Sequence, residues 1–259
     1  MSNFELITFA TADELARMVA SQWLDEIESA NREGKSHCVA LSGGRITQKF
    51  FTAVVEQAGQ RTVPFGSVHF FWADERCVPP DDPESNFCLA KELLFGPLKI
   101  PDNQIHRIRG ELPPETAAKI AENELRRFAG SAGIPAGTNP HFTCLPAGKD
   151  AGAPGLDLIL LGMGEDGHVA SLFPGEMETA VSDPAAYRAV RNSPKPPPDR
   201  VTLGYAAIAA ARQVWVLVSG AGKEGALRAS LASNGRTPLG RVAQFRTQKT
   251  LVFSDLKVA

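Results

Sequence analysis

A continuous apolar run that leads into a glycine-rich turn constrains this chain more than any other stretch. Residues 156–161 read Leu-Asp-Leu-Ile-Leu-Leu, and a turn with three glycines follows at 162–167. Strands of a parallel sheet that is covered on both faces have near-continuous apolar sequences, so the run predicts a buried strand. Glycines allow tight or left-handed backbone in the turn. We therefore expect Asp166 and His168 at the carboxyl end of a strand, where open α/β sheets bind ligands.

The same turn matches the glycine spacing of dinucleotide-binding folds at Gly162, Gly164 and Gly167. In those folds the last glycine opens a full crossover helix, and a strand that ends in an acidic residue follows. Here Pro174 and Gly175 come too soon for such a helix, and no such strand stands at the expected distance. The pattern therefore argues against a dinucleotide site.

Composition excludes several classes of partner. A net charge of -2 over 259 residues gives no electrostatic basis for binding nucleic acid or an anionic membrane. The four cysteines lack metal-binding spacing and indicate reduced thiols. No apolar run approaches membrane-spanning length, and residues 1–10 lack the pattern of a secretory signal. We expect a soluble, cytoplasmic protein.

Strand and helix patterns alternate along the whole chain, which predicts one doubly wound α/β domain over residues 1–259, with a mostly parallel sheet flanked by helices. The strand patterns lie at 5–9 (an edge strand), 38–41, 68–72, 105–108, 156–161, 187–190, 201–203, 214–218 and 251–253, the last closing the sheet. The helix patterns lie at 11–34, 46–58, 85–94, 113–128, 205–211 and 224–232. Residues 130–155 read as an irregular segment, with a possible hairpin at 141–144.

Two strand ends carry polar residues that suit a binding site. Ser42-Gly43-Gly44-Arg45 stands between a strand and a helix, where free backbone N–H groups and the helix dipole favour a phosphate; a plain tight turn is the equal alternative. Asp74-Glu75-Arg76 follows the next strand and indicates either a site rim or a solvated, salt-bridged surface.

Later in the chain, a proline-rich run fixes Lys195 and Arg200 on a stiff segment, and Lys223 follows small residues before a helix. The surroundings of Lys223 do not match a Walker motif, because the required glycine and hydroxyl residue are missing.

His168 is the candidate base. A histidine near a core usually serves only to make a structural hydrogen bond. Asp166, two positions earlier in a loop after a buried strand, favours an imidazole that is oriented for proton transfer. The other four histidines and the cysteines have no such context, so we interpret them as structural.

Four segments together resemble the 6-phosphogluconolactonases, cytosolic enzymes of the oxidative pentose phosphate pathway. They are Leu41-Ser42-Gly43-Gly44, residues 72–79 with Ser85-Asn86, residues 162–175, and residues 193–197 with 200–203. Gly220-Ala221-Gly222-Lys223 also matches. The segments follow the family's order and span nearly the whole chain. Each is short, but the set is specific.

The resemblance implies a Rossmann-like fold shared with glucosamine-6-phosphate deaminases and ribose-5-phosphate isomerases. It also implies hydrolysis of 6-phospho-D-glucono-1,5-lactone to 6-phosphogluconate, without a metal or organic cofactor. His168 would be the base that activates water, and Asp166 would orient it. Asp74 and Arg76 match the family's charged strand-end motif. Around the phosphate the matching positions are Ser42, Gly43, Gly44, Arg200 and Lys223, and Lys195 matches the lysine of the Pro-Lys-Pro-Pro element.

The two residues after the glycine pair depart from the family. Arg45 and Ile46 stand where the family commonly has Ser followed by Thr or Leu, so Arg45 either adds a phosphate contact or turns outward. The resemblance leaves the oxyanion donor open among Arg76, Lys195 and a backbone N–H of the 162–167 loop.

Two rival functions follow from other uses of such a site. An amino-sugar-phosphate deaminase or isomerase would use Asp74 to abstract a carbon-bound proton. Those enzymes typically read Ile-Ala-Phe-Asn-Glu-Pro after the Asp-Gly-His triplet, whereas residues 169–174 read Val-Ala-Ser-Leu-Phe-Pro. A non-catalytic sugar-phosphate-binding regulator would keep the cations without needing Asp166 and His168. As an assembly we expect a monomer or weak homodimer.

Overall fold

The computed structural model describes residues 3–129, 155–232 and 235–257. Nine strands are found there: β1 (Phe4–Thr8), β2 (His37–Leu41), β3 (Val68–Trp72), β4 (Asp74–Arg76), β5 (Leu158–Gly162), β6 (Tyr187–Val190), β7 (Arg200–Leu203), β8 (Gln213–Val218) and β9 (Thr250–Ser254). Six of them form one sheet in the order β1-β9-β8-β5-β2-β3. Every pairing in it is parallel, which confirms the predicted fold class.

The apolar runs become the interior of this sheet. All five residues of β2 and of β3 are buried, as a strand covered on both faces requires. The edge position of β1 is confirmed. The expectation that residues 251–253 close the sheet is wrong, because β9 pairs with both β1 and β8.

A second sheet of three antiparallel strands, in the order β4-β7-β6, was not predicted. The chain leaves the main sheet at Ala73, whose N–H donates to Leu41 O and whose carbonyl accepts from Leu203 N, both at 2.7 Å. The next three residues form β4 and pair with β7, so that Asp74 lies opposite Thr202. The charged triplet that suggested a rim is therefore a strand.

Nine α-helices flank the sheets within the described ranges: α1 (Ala12–Arg32), α2 (Arg45–Arg61), α3 (Asn86–Ala90), α4 (Gly96–Leu98), α5 (Pro114–Ala129), α6 (Glu178–Val181), α7 (Tyr205–Ala210), α8 (Glu224–Leu231) and α9 (Pro238–Phe245). A π-helical turn (Lys91–Phe95) joins α3 to α4. The Thr11 hydroxyl accepts from Glu14 N, and the Glu14 carboxylate accepts from Ala10 N, which is a capping box.

Two predictions of secondary structure need correction, and a third concerns residues outside the described ranges. Residues 105–108 form no strand, since only an isolated bridge joins Ile105 to Phe70. Helix α9 was missed, although Thr237 caps it and Pro238 occupies its first position. The possible hairpin at 141–144, with all of segment 130–155 except its last residue, lies outside the described residues.

This architecture brings four turns to one end of the main sheet. The turns that follow β2, β3, β5 and β8 all start from the carboxyl ends of parallel strands, which meet at the same edge. Large apolar side chains, including Trp23, Phe50 and Trp215, are fully buried in the core. Among the described residues, no helix is long and apolar enough to span a bilayer. The assignment of all 259 residues to one domain stays a prediction.

Candidate active site

The strand ends enclose a cleft that contains most of the residues singled out from the sequence. Nine of those eleven residues line it: Ser42, Gly43, Gly44, Arg45, Asp74, Arg76, His168, Arg200 and Lys223. The other two are attached to this wall, because Asp166 bonds to His168 and Lys195 lies 3.7 Å from Asp166. Two turns that are far apart in the sequence, at 42–45 and 162–168, lie side by side at the cleft, because the strands before them, β2 and β5, are paired.

The 42–45 turn presents unused hydrogen-bonding groups. Gly44 is the N-cap of α2 at φ 114°, a conformation open to glycine, and no side chain caps this helix. The Ser42 hydroxyl is buried and has no hydrogen-bond partner in the part of the chain that the structure describes. Free N–H groups at a helix start and an unpaired hydroxyl together form a ready anion site.

The 162–168 turn holds the histidine against its acid. The Asp166 carboxylate accepts from His168 Nδ1 at 2.5 Å and from the His168 backbone N–H at 3.3 Å. With the Nδ1 proton held by the carboxylate, Nε2 is the basic nitrogen. Burial lowers the pKa of His168 from its ordinary value, and Asp166 only partly offsets this. The imidazole is therefore neutral near pH 7 and able to accept a proton.

Asp166 is held ionised by the same contact. Burial acts to raise the pKa of its carboxyl, but the hydrogen bonds that it accepts from His168, with a smaller effect of the Lys195 charge, outweigh burial and lower it. The pair is a neutral base fixed by an anionic partner, which is the arrangement that orients a histidine for general-base catalysis.

Gly164 is required by this packing. A Cβ on Gly164 would overlap the His168 ring and lie 2.7 Å from Asp166 Oδ1. We expect Gly164→Ala to displace the pair and lower turnover by more than about tenfold, because small misplacements of a base are costly. Steady-state kinetics with a thermal melt measures this. Gly59→Ala, in α2 with open space around it, is the matched control and is expected to leave turnover unchanged. Wild-type turnover in Gly164→Ala would contradict the geometry.

Asp74 is buried and fully engaged. Its Oδ2 accepts from the Ser171 hydroxyl at 2.7 Å, and its Oδ1 lies 3.4 Å from Asn86 Nδ2. The side chain is held in place beside the cleft, and its negative charge acts to raise the pKa of His168. Asp74 is thus a fixed anion of the wall.

Glu75 has a different environment from Asp74. Its carboxylate accepts from the backbone N–H groups of Asn86 and Phe87 and from the Ser85 hydroxyl, which fixes the start of α3. Burial raises the pKa of Glu75 to about 7, against the opposing effect of these backbone hydrogen bonds. Asp74 and Glu75 are 4% and 2% exposed, so the solvated-surface interpretation of this triplet is wrong for its two acids.

Arg200 is buried and mainly occupied by the proline-rich segment. Its guanidinium donates to the carbonyl groups of Lys195, Pro196 and Pro197 at 2.8–3.1 Å and to Ser171 Oγ at 3.4 Å. These bonds set the path of the segment and therefore the position of Lys195. Arg200 lines the cleft, but most of its N–H groups already donate to the protein. Few of them are left for a ligand.

Arg45 and Lys223 form the cationic end of the cleft. Burial, followed by the positive charge of Arg45, lowers the pKa of Lys223. Lys195 acts in the same direction, while Glu165 opposes it. Positive charges that disfavour one another around free N–H groups indicate a site for an anion. Arg45 lines the cleft, which supports the phosphate-contact alternative over an outward one.

Arg76 also lines the cleft. Its Nη1 donates to the carbonyl of Glu84 at 2.7 Å, whereas its Nε is buried without a partner in the described residues. The guanidinium is therefore anchored at one end and retains an unused donor.

Sequence reasoning missed Asn86, which lines the cleft, and Ser171, which is buried and bonds to Asp74. The Ser85-Asn86 pair predicted a helix start, which is confirmed by the bond from Cys88 N to Ser85 Oγ, and it belonged to the segments that resemble the family without being given a role at the site. Ser171 stands where the residue pattern separated a lactonase from a deaminase, so a signal existed. Its contacts with Asp74 and Arg200 depend on folding and have no local signature.

A larger cavity of about 760 Å³ lies elsewhere, between α3, α4 and α5. Its Arg107 binds Glu111 and its His106 binds Glu124, so these charges are satisfied by the protein itself. No group of three or more His, Cys, Asp or Glu side chains in the described ranges is arranged to hold a metal ion. We place the candidate chemistry in the smaller cleft because the base, its acid and the cations converge there.

Comparisons with known proteins agree with this cleft. Residues 10–252 match the family model described as glucosamine-6-phosphate isomerases/6-phosphogluconolactonase. A probable chloroplastic 6-phosphogluconolactonase of Oryza sativa is 35% identical over 86% of this chain, but the chain spans only 64% of that relative's length. The 6-phosphogluconolactonase of Mycobacterium tuberculosis is 32% identical over 97% of this chain and 95% of its own.

A solved structure shows the same fold. The crystal structure of 6-phosphogluconolactonase from Thermotoga maritima superposes with a TM-score of 0.74 at 29% identity, covering 97% of this chain and 98% of that one.

Proposed function

The chain belongs to the glucosamine-6-phosphate isomerase/6-phosphogluconolactonase family, and on that premise we propose that it hydrolyses 6-phospho-D-glucono-1,5-lactone to 6-phospho-D-gluconate. This is the second step of the oxidative pentose phosphate pathway. The observation that carries the proposal is the neutral His168–Asp166 pair in a cleft that is also lined by the cations Arg45 and Lys223. A base at one end and an anion site at the other fit a phosphorylated ester.

The lactone needs a water nucleophile and a base. His168 Nε2 accepts a proton from water as the water oxygen bonds to the ring carbonyl carbon. The tetrahedral intermediate then breaks its bond to the ring oxygen, which takes the proton from His168. Base catalysis of this kind contributes about 10² to 10⁴-fold. A lactone is an activated ester, so a nucleophilic serine or cysteine is unnecessary.

The intermediate's oxyanion needs donors that are already in place. Lys195 is the cation nearest the pair, 3.7 Å from Asp166 Oδ1, and Arg200 fixes the carbonyls around it. We assign Lys195 and the guanidinium of Arg76, which lines the cleft, to this end. A lost donor of this type costs roughly 3–4 kcal/mol of transition-state stabilisation.

The phosphate belongs at the other end. Arg45 and Lys223 supply charge, and Ser42 with the first N–H groups of α2 supplies hydrogen bonds. The phosphate does not react. Binding energy from this remote group positions the lactone carbonyl next to His168.

Asp74 favours hydrolysis over the deaminase or isomerase alternative. A carbon-bound proton must be taken by an oxygen that is free to receive it. Both Asp74 oxygens already face donors, Ser171 at 2.7 Å and Asn86 at 3.4 Å. Such an oxygen is a poor base, whereas a fixed anion still stabilises the imidazolium that forms on His168.

The proposed function is tested by following acid release from freshly made 6-phosphogluconolactone, with spontaneous hydrolysis subtracted. Ammonia release from glucosamine 6-phosphate is the parallel control. We expect acid release well above the uncatalysed rate and no ammonia. Ammonia without acid would establish the deaminase alternative, and binding of 6-phosphogluconate without either product would establish the regulator.

The pH profile tests the base. Because burial lowers the pKa of His168, kcat/KM should fall only as the pH drops through a midpoint below the ordinary 6.5. Asp166 acts to raise that pKa, so Asp166→Asn should move the midpoint further down and lower the rate more than about tenfold. The substrate phosphate titrates in the same way with wild type and with Asp166→Asn. Its effect on the pH profile therefore cancels when the two midpoints are compared. A midpoint that rises in Asp166→Asn would exclude His168 as the titrating group.

We also propose that the reaction needs no metal or organic cofactor, and that the chain acts as a monomer or weak homodimer in the cytoplasm. The lactone ester and a histidine base suffice for the chemistry above. The rice relative is named chloroplastic, so location is a property of each relative.

A further inference from the structure

Asn86 is held at the cleft wall by two acids. It is the first residue of α3 and is 4% exposed. Its backbone N–H donates to Glu75 Oε1 at 2.7 Å. Its side-chain Nδ2 donates to the Asp74 carbonyl at 2.9 Å and faces Asp74 Oδ1 at 3.4 Å. Backbone and side chain are thus both fixed.

These bonds determine which way the carboxamide faces. The groups around Nδ2 are acceptors, a carbonyl and a carboxylate oxygen, so only the NH₂ end can face Asp74. The Oδ1 atom must face the other way, over Gly43. A Cβ on Gly43 would overlap Oδ1, so the turn approaches the amide as closely as glycine permits.

Asn86 Oδ1 is an acceptor without a donor. Asn86 lines the cleft, and no hydrogen bond reaches its Oδ1 among the described residues. The oxygen lies between the cationic end, marked by Gly43 and its turn, and the wall that carries Asp74. An acceptor-only atom there repels phosphate or oxyanion oxygens and attracts a neutral O–H donor.

We propose that Asn86 Oδ1 accepts a hydrogen bond from a hydroxyl group of the sugar part of the substrate, which makes Asn86 a specificity-determining residue. This inference rests on the proposed function, since it assigns the segment of the ligand between phosphate and carbonyl. Asn86 selects for a hydroxylated chain and against an equally long chain without hydroxyls, because an unsatisfied buried acceptor penalises the latter. Glu75 acts through Asn86 as a positioning residue.

The test compares three ligands by calorimetry on wild type and Asn86→Ala: 6-phosphogluconate, 6-phosphohexanoate and inorganic phosphate. We expect about a tenfold loss of affinity for 6-phosphogluconate only. The hexanoate has the same two charged ends but no hydroxyls, and its affinity should rise, because the variant no longer buries an unsatisfied acceptor against it. Equal affinity for 6-phosphogluconate in both proteins would overturn the inference, and so would a parallel loss for all three ligands.

Controls separate this result from misfolding and from failure of the proposed function. Asn103→Ala, at an exposed position, should change no affinity. Unchanged inorganic phosphate binding by Asn86→Ala shows that the turn at Gly43 is intact. If that variant does not fold, Asn86→Ser should show the same selective loss, because serine is too short to present an acceptor over Gly43. A wild-type protein that neither binds 6-phosphogluconate nor hydrolyses the lactone overturns the proposed function itself.

Discussion

Replacement of His168 by alanine is expected to lower lactonase turnover by about a hundredfold or more. The imidazole is the only neutral base among the described cleft residues that is bonded to an ionised partner. Without it, water must attack without a proton acceptor, while the phosphate and hydroxyl contacts remain. The change should therefore appear in kcat and leave the affinity for 6-phosphogluconate nearly unchanged. Stopped-flow or pH-stat kinetics and a binding isotherm measure the two effects.

The control for this variant is Met177→Ala. Met177 is 75% exposed and lies shortly after the same loop, so its removal should not change turnover beyond about twofold. A His168→Ala protein that turns over at the wild-type rate would remove this residue from the base role. Loss of both kcat and 6-phosphogluconate binding, with a lowered Tm, would assign it a structural role instead.

Replacement of Lys223 by alanine should weaken 6-phosphogluconate binding by about tenfold to a hundredfold, the value of a hydrogen bond to a charged group. The Tm of the free protein should not fall, since the lysine is disfavoured by burial and by the charge of Arg45. The loss should shrink at high salt, because a cation–anion contact is screened. Calorimetry at two salt concentrations measures both effects. Lys249→Ala, at an exposed position, is the matched cation control.

Replacement of Arg200 is expected to have a different effect from replacement of Lys223. Arg200→Met removes the donors of three carbonyl groups in the proline-rich segment, so it should lower the Tm and disturb Lys195. Its assignment to the phosphate from the sequence stays a prediction. A variant that melts like wild type and loses only phosphate affinity would support that assignment. Unchanged 6-phosphogluconate affinity in both Lys223→Ala and Arg200→Met would refute the phosphate end as described.

The main sheet was predictable because its strands are short apolar runs. A strand buried on both faces needs no polar alternation, so residues 68–72 and 158–162 are recognisable without their partners. Strand β4 was not predictable from the sequence, because its three residues are all charged. Its burial depends on Ser85, Asn86 and β7, which the fold brings to it.

The base could be predicted from the sequence because its bond to Asp166 is local, whereas the contacts among the residues around it could not. Asp166 and His168 are two residues apart, so the turn alone sets their bond. The contacts of Asp74 with Ser171 and of Arg200 with Ser171 join residues 97 and 29 positions apart. Such contacts follow from topology, and a spacing pattern along the chain does not contain them.

The second sheet has a consequence for the design of related enzymes. The parallel sheet supplies the base through the turn after β5, while the antiparallel sheet supplies Asp74 and Arg200 from paired strands. The proton-transfer pair and the charged groups that assist it are thus borne by separate layers. A library confined to β4 and β7 would vary Asp74, Arg76 and Arg200, and with them the electrostatic support of the reaction, while the proton-transfer pair keeps its own scaffold. The two neighbouring strands should be exchanged together, since each one defines the register of the other.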